Sequence, residues 1–415
     1  MKITLHNGRL IDPKNGIDSL ADLHLADGKV AAIGNAPDGF VADERLDASG
    51  QIVCPGLIDL SARVNALEAE LQAAVAGGVT TLVCPPDTDP VLDEPELAER
   101  LVRRVADVNL ARVLPLGALT LGLKGERLAE MAGLHAAGCV AFSQGNTPVV
   151  DTQSLLRALE YAVTFDFPVW MQPQDAFLSR DGVAHDGEVA SRLGLAGIPV
   201  SAETIAIHTL LELACQTGVR LHLTRLSSAA GVRLVAAAQA AGQAVTCDIG
   251  IHHLHLSEHD IGFFDTAARF MPPLRSAADR TALRQAVAQG IAVLCSDHTP
   301  VKADDKLLPF GEARAGATGL ELLLPLTLKW ASEDGQSLNT AIARLTSDPA
   351  RVLNLDAGHL AVGARADICV FDPAASWQVT PDALKSKGKN SPYQGYPLEG
   401  RVSMTLVAGK QVYRA

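Results

Sequence analysis

Eight short apolar segments that alternate with helical segments constrain the fold of this chain more than any other feature. Each apolar segment is rich in Val, Leu, Ile or Ala, and Ala-rich amphipathic segments such as 152–163 and 201–217 separate them. Eight strand–helix alternations favour a (β/α)8 TIM barrel over a doubly wound open sheet. The predicted strands are 56–60, 80–83, 112–115, 140–143, 169–171, 220–223, 244–247 and 292–295.

Both ends of the chain differ from this middle. The first 53 residues carry short β-type segments punctuated by Asn-Gly and Asp-Gly turns. Near the other end, 366–372 and 402–407 have the apolar, β-branched character of strands. Two β-rich ends around an α/β middle predict a small β-sandwich domain built from 1–53 and 358–415. The barrel then spans 54–357.

The composition excludes several classes of function. The net charge of −12 argues against nucleic acid or an anionic membrane as a main partner. No apolar run reaches the length of a membrane span, and the N-terminus lacks a secretory signal. The seven cysteines are scattered and never form a C-x-x-C pair, which predicts free thiols in a cytoplasmic protein. No Gly-rich phosphate loop follows an early strand, so no nucleotide cofactor is predicted. The short basic segment 385–389 is predicted to be solvated.

The first barrel strand carries a recognisable motif. Residues 55–59 read Pro-Gly-Leu-Ile-Asp, and residues 61–63 read Ser-Ala-Arg. The lead-in resembles the opening strand of metal-dependent amidohydrolase barrels, where His-x-His follows. Further segments, in order over nearly the whole chain, resemble the dihydroorotase family: 77–90, 185–203, 222–228, 272–275 and 296–300. The resemblance implies an amidohydrolase-type barrel, but fold alone does not imply activity.

The resemblance also implies where a metal site would lie. Active dihydroorotases hold two zinc ions that lower the pKa of a bridging water. At the corresponding ligand positions this chain has Ser61, Arg63, Gln144 (or the adjacent Gly145), Gln172 and Arg225. An arginine has no lone pair to offer a metal, and tight zinc sites need three or four N, O or S donors. Only the last carboxylate, Asp297, is retained, so we expect no bound metal and a vestigial Asp297.

The positions that contact substrate in the family are changed as well. They are occupied here by Asn65, Asp87, Met271 and Val301. An anionic substrate would therefore meet the carboxylate of Asp87 in place of a guanidinium and amides.

A charge exchange could explain the retained carboxylate. Zinc ions neutralise this aspartate in active relatives, and Arg63 and Arg225 could do so here. Since the eighth strand of a closed barrel adjoins the first, we expect Arg63 to lie within about 8 Å of Asp297.

A second group of potential ligands is the histidine-rich segment with His252, His253, His255 and His259. Active dihydroorotases carry a similar His-His-Leu segment outside their metal ligands. The resemblance therefore implies structural or surface roles for these histidines.

The whole pattern is similar to the non-catalytic dihydroorotase-like chains of pseudomonad-type aspartate transcarbamoylases. That resemblance implies a pseudoenzyme that scaffolds the transcarbamoylase in de novo pyrimidine synthesis. The implied partner is the catalytic transcarbamoylase chain, with a homodimer of this chain inside a larger dodecamer. Two alternatives remain open. One is a divergent amidohydrolase of a cyclic amide or ureide, with Asp297 as general base. The other is a sensor that binds a small anion through the two arginines.

Overall fold

The computed structural model describes all 415 residues. The strands, in chain order, are β1 (Lys2–His6), β2 (Arg9–Asp12), β3 (Ile17–Leu20), β4 (Leu23–Ala26), β5 (Lys29–Ile33), β6 (Glu44–Asp47), β7 (Ile52–Pro55), β8 (Leu57–Asp59), β9 (Val79–Cys84), β10 (Arg112–Ala118), β11 (Ala141–Ser143), β12 (Val169–Met171), β13 (Ala184–His185), β14 (Gly197–Ile198), β15 (Leu221–Leu223), β16 (Val245–Gly250), β17 (Val293–Cys295), β18 (Ile368–Gln378), β19 (Pro397–Val407) and β20 (Lys410–Arg414). The α-helices are α1 (Leu67–Ala76), α2 (Pro95–Val108), α3 (Met131–Ala136), α4 (Thr152–Thr164), α5 (Glu188–Leu193), α6 (Val200–Thr217), α7 (Ala229–Ala240), α8 (Ala277–Ala288), α9 (Ala303–Lys306), α10 (Leu323–Glu333), α11 (Leu338–Leu345) and α12 (Ser347–Val352).

The barrel is a parallel sheet of eight strands in the order β17-β16-β15-β12-β11-β10-β9-β8. It closes just beyond the ends of β8 and β17, where Ala62 and His298 form a parallel bridge. The N–H of Arg63 donates to the carbonyl of His298 at 2.9 Å, and the N–H of His298 donates to the carbonyl of Ser61 at 3.1 Å. This closure confirms the predicted (β/α)8 fold and brings the first and eighth strands side by side at the barrel mouth.

All eight predicted barrel strands overlap observed ones. The prediction for β16 was too short, because it ended before the charged Asp248. In the structure Asp248 is fully buried and lies 2.8 Å from His222 Nε2, while its backbone pairs with Val293 of β17. The strand β16 therefore continues beyond its apolar residues, because the contact with His222 allows the charged Asp248 to be buried.

The two termini form two sheets that share one apolar core. The first sheet has the order β5-β4-β1-β6, and the second has the order β20-β19-β18-β7-β2-β3. Side chains from both sheets, such as Ile3, Leu25, Leu10 and Ile368, are buried in one cluster. The strand β7 crosses the predicted domain boundary at residue 53 and leads almost directly into β8. The exact division between the domains stays a prediction.

Two further findings concern the predictions about solvent and membrane. None of the helices is both long and apolar enough to cross a membrane.

The basic segment 385–389 is only partly solvated, because Ser386 is fully buried between exposed lysines. Its hydroxyl donates to Glu70 of α1 at 2.6 Å, and that carboxylate also contacts His298 Nε2 at 2.9 Å. The lysines of this loop are exposed, but the residues between them are buried. The basic composition alone therefore predicted more solvation than the loop has.

Candidate functional site

Two arginines and an aspartate converge at the barrel mouth. Arg63 follows β8, Arg225 follows β15 and Asp297 follows β17, and all three are buried. Arg225 Nη1 donates to Asp297 Oδ1 at 3.2 Å, and Arg63 Nη1 lies 3.8 Å from the same oxygen. The predicted proximity of Arg63 to Asp297 is confirmed. The carboxylate faces two guanidinium groups at the barrel mouth.

The principal partner of Arg63 is a residue that the sequence did not identify as its partner. Arg63 Nε and Nη2 both donate to Asp87 Oδ2, at 3.2 and 2.7 Å. Burial disfavours the charged form of Asp87, but attraction to Arg63 and its hydrogen bonds outweigh this effect, so the pKa of Asp87 lies below its ordinary value. Asp87 is therefore a counter-ion to Arg63 through Oδ2, while its Oδ1 is buried without a hydrogen-bond partner.

Asn146 joins the two arginines. Its Oδ1 accepts from Arg63 Nη2 at 3.1 Å and from Arg225 Nη2 at 2.5 Å. Gln172 Oε1 accepts a further hydrogen bond from Arg225 Nη2 at 3.1 Å, and the carbonyl of Met271 accepts one from Arg225 Nη1 at 3.3 Å. We call Arg63, Asp87, Asn146, Gln172, Arg225 and Asp297 the arginine cluster. Its side chains bind one another at the barrel mouth through ion pairs and hydrogen bonds.

The remaining predicted positions lie outside this cluster. Gln144 exchanges hydrogen bonds with the hydroxyl of Thr120, and the buried Ser61 bonds through its N–H to Asp59. Asn65 is exposed, and the N–H of Val301 donates to Asn390 Oδ1 at 2.9 Å. The assignment of these residues to former metal and substrate positions stays a prediction.

The backbone is strained at both ends of the Arg225–Asp297 pair. Arg225 has φ +54 and Asp297 has φ +46, the left-handed region that non-glycine residues rarely adopt. Such conformations cost about 1–3 kcal/mol each and are concentrated at functional sites. Both of these residues belong to the ion pair at the barrel mouth.

A buried support holds the loop that carries Arg225. Both carboxylate oxygens of Glu203, on α6, accept from the N–H and hydroxyl groups of Ser227 and Ser228, at 2.5 to 3.1 Å. Arg275 Nε donates to the hydroxyl of Ser227 at 3.1 Å, and its Nη1 donates to the carbonyl of Ile198 at 2.5 Å. The sequence segments that resemble dihydroorotases supply all of these residues, which explains why they persist in a chain with an altered site.

Comparisons with known proteins agree with this architecture. A family model described as dihydro-orotase-like matches residues 50–230, and one described as amidohydrolase family matches residues 179–413. A dihydroorotase-like protein from Pseudomonas aeruginosa is 46% identical over 418 residues, which cover 99% of both chains. A protein named dihydroorotase from Syntrophotalea carbinolica is 40% identical and covers 100% of this chain and 99% of its own. This chain belongs to the dihydroorotase-like amidohydrolases.

Solved structures extend the comparison to the wider fold. The L-hydantoinase (dihydropyrimidinase) from Arthrobacter aurescens superposes with a TM-score of 0.88 and 26% identity, over 99% of this chain and 96% of that one. The L-hydantoinase match therefore covers the terminal sheets as well as the barrel. The dihydroorotase-like chain keeps the complete amidohydrolase architecture around its altered mouth.

The side chains at the mouth do not fit the zinc ions of the family. Asp297 is the one carboxylate at the predicted ligand positions, and it is already paired with two fixed cations. Nowhere in the chain do three or more His, Cys, Asp or Glu side chains lie in an arrangement suited to a metal ion. His252 is fully buried beside Phe270, and burial lowers its pKa to about 3, so it stays neutral in the core.

Proposed function

We propose that this dihydroorotase-like chain is a non-catalytic subunit that scaffolds the assembly and activity of aspartate transcarbamoylase. The arginine cluster carries the proposal. Two buried guanidiniums stand beside the only remaining ligand carboxylate, where a dihydroorotase needs metal donors and an activated water. Because the side chains at the barrel mouth bind one another, we infer that the chain functions through its outer surface.

The choice of partner rests on the sequence resemblance and on the relatives. Two relatives named dihydroorotase-like protein come from Pseudomonas aeruginosa and Pseudomonas putida, at 46% and 45% identity. Pseudomonad-type transcarbamoylases are the assemblies that the sequence pattern resembles. A symmetric dimer of this chain would present two copies of one docking surface to the catalytic transcarbamoylase chain, within a dodecamer.

The geometry gives less support to the alternatives. A general base must accept a proton from the attacking water, and Asp297 has only Oδ2 left for this role, because Oδ1 accepts from Arg225 and faces Arg63. No group of metal-ligating side chains stands ready to activate that water. An anion sensor needs free donors, but the two guanidiniums donate to Asp87, Asn146 and other protein groups. Within the arginine cluster, Arg225 Nε is the one buried guanidinium nitrogen without a partner.

The experiment is a reconstitution from purified chains. The samples are this chain alone, an aspartate transcarbamoylase catalytic chain alone, and a mixture of the two. Zinc content, dihydroorotate hydrolysis and transcarbamoylase turnover are measured for each sample. We expect substoichiometric zinc, no dihydroorotate hydrolysis, and transcarbamoylase activity that depends on the mixture. Stoichiometric zinc with hydrolysis that is lost in Asp297→Asn would show an active amidohydrolase. A mixture that neither associates nor gains activity would refute the scaffold.

A further inference from the structure

Four large apolar side chains stand exposed on two loops at the rim of the barrel mouth. Phe263 and Phe264 lie on the segment after β16, and Leu307 and Leu308 lie on the segment after β17. Their exposed fractions are 89%, 36%, 82% and 44%, in that order. Exposed apolar side chains that occur singly need no explanation, but a group on adjacent loops indicates an interaction site. We call these four residues the rim patch.

Hydrogen bonds hold the two loops of the rim patch together. The hydroxyl of Thr266 donates to the carbonyl of Lys306 at 2.6 Å, and Lys306 Nζ donates to the carbonyl of Thr266 at 2.8 Å. Arg269 donates to the carbonyls of Ala313 and Val183, at 2.7 and 2.8 Å, which ties both loops to a third one. The patch is therefore presented by an ordered frame, which lowers the entropy cost of binding.

A small buried core and a strained backbone support the same frame. Phe270 and Phe310 are almost fully buried beneath the loops, in one apolar cluster. Phe264 has φ +61, a left-handed conformation that is unfavourable for an aromatic residue. The folded protein thus keeps an unfavourable backbone conformation at Phe264, and the neighbouring Phe263 side chain stays almost fully exposed to solvent. Together these features point to a function for Phe263.

The charge around the patch restricts what can cover it. The exposed charged residues on the two loops are the acids Asp260, Asp265, Asp304 and Glu312 and the bases Lys302 and Arg314. These exposed side chains carry a net charge of −2, and the half-buried Asp305, Lys306 and Arg269 bring the net charge of the rim to −1. A second copy of this face would bring like charges together, and an anionic membrane would repel it. The complementary surface is apolar at its centre and basic at its edge.

We propose that the rim patch is the docking surface for a partner protein with an apolar socket bordered by Lys or Arg side chains. The inference rests on the proposed function in one respect, because it takes the catalytic transcarbamoylase chain to be that partner. Phe263 and Leu307 are the central contacts, since they are the most exposed. The acidic residues around them steer the partner and fix its orientation.

The test compares two double variants of the full-length chain by calorimetric titration with the catalytic transcarbamoylase chain. Phe263→Ser with Leu307→Ser removes the centre of the patch. Leu20→Ser with Val362→Ser is the matched control, because these side chains are 78% and 69% exposed and lie outside the patch. We expect Kd to rise at least about 30-fold in the patch variant, the effect of losing a binding hot spot, with the control close to wild type. A third variant, Asp265→Lys with Asp304→Lys, should slow association and make it less sensitive to salt.

Each other outcome contradicts the inference in a distinct way. If the patch variant binds as tightly as wild type, the rim patch is not the docking surface, although the proposed function stands. If wild type itself does not bind the catalytic chain, both the proposed function and this inference fail. If light scattering shows that the patch variant loses self-association of the isolated chain, the patch joins copies of this chain instead. Unchanged unfolding temperatures of all variants show that the loops remain folded.

Discussion

The buried Arg225–Asp297 pair gives a prediction at the scale of single residues. Both side chains are buried, and without Arg225 the single guanidinium of Arg63 would have to balance both Asp87 and Asp297. We expect Arg225→Met to lower the free energy of unfolding by about 3 kcal/mol. Adding Asp297→Asn should restore most of that loss, because the remaining buried group is then neutral. Urea unfolding at neutral pH measures both values, and equal losses in the single and double variants would contradict the pairing.

Asp59 gives a pH-dependent prediction. It is fully buried, and burial raises its pKa to about 6 although the N–H groups of Ser296 and Ser61 and the Ser296 hydroxyl donate to it. A raised pKa means that the native state favours the neutral acid. The stabilising contribution is complete below about pH 4 and is lost as the pH rises through about 6.

The permanently neutral variant Asp59→Asn isolates this effect. Between pH 4 and pH 7 its stability should rise relative to wild type by about 2 kcal/mol. Urea unfolding across this range measures the difference, with Asp27→Asn as a control because the Asp27 side chain is 92% exposed. A stability difference that does not change with pH would show that Asp59 does not titrate as described.

At the scale of elements, the sequence predicted the strands better than the contacts between their loops. Apolar runs define the barrel strands because each strand is buried on both faces. The contacts of Arg63 with Asp87 and Asn146 join loops that follow three different strands, and no local pattern reports such distances. The sequence did contain one indication of these contacts. The resemblance to dihydroorotases implies an uncharged residue at position 87 and a histidine at position 63, whereas this chain has an aspartate and an arginine there. Charge compensation within the site could have been predicted from it.

Glu203 connects two helices through four hydrogen bonds, and this connection is testable. Its carboxylate on α6 accepts from both serines that precede α7. In Glu203→Ala these buried donors lose their partner, so we expect a loss of about 4 kcal/mol and faster exchange of the Ser227 and Ser228 amides. Hydrogen exchange measured by mass spectrometry reports the local change. Glu212→Ala is the control on the same helix, since Glu212 is exposed, and equal exchange in the two variants would contradict the connection.

At the scale of the whole molecule, the arginine cluster and the rim patch lie on one continuous structure. Arg225 Nη1 donates to the carbonyl of Met271, in the segment that also carries Phe263 and Phe264. A side chain of the arginine cluster therefore contacts the segment that we assign to docking. Ordering of this segment before binding would reduce the entropy cost of the complex.

The last prediction tests this coupling between the mouth and the rim. Arg225→Lys keeps the positive charge near Asp297 but loses the planar fork that reaches Met271, Asn146 and Gln172. We expect the catalytic transcarbamoylase chain to bind this variant about fivefold more weakly, although Arg225 is buried and lies outside the patch. Calorimetric titration measures the affinity, and hydrogen exchange of residues 258–268 measures the order of the loop. Gln172→Ala is the matched control, because it removes one partner of Arg225 and leaves the contact with Met271 in place. If Arg225→Lys loosens the loop without weakening binding, the order of the loop does not control docking, and the rim patch binds independently of the mouth.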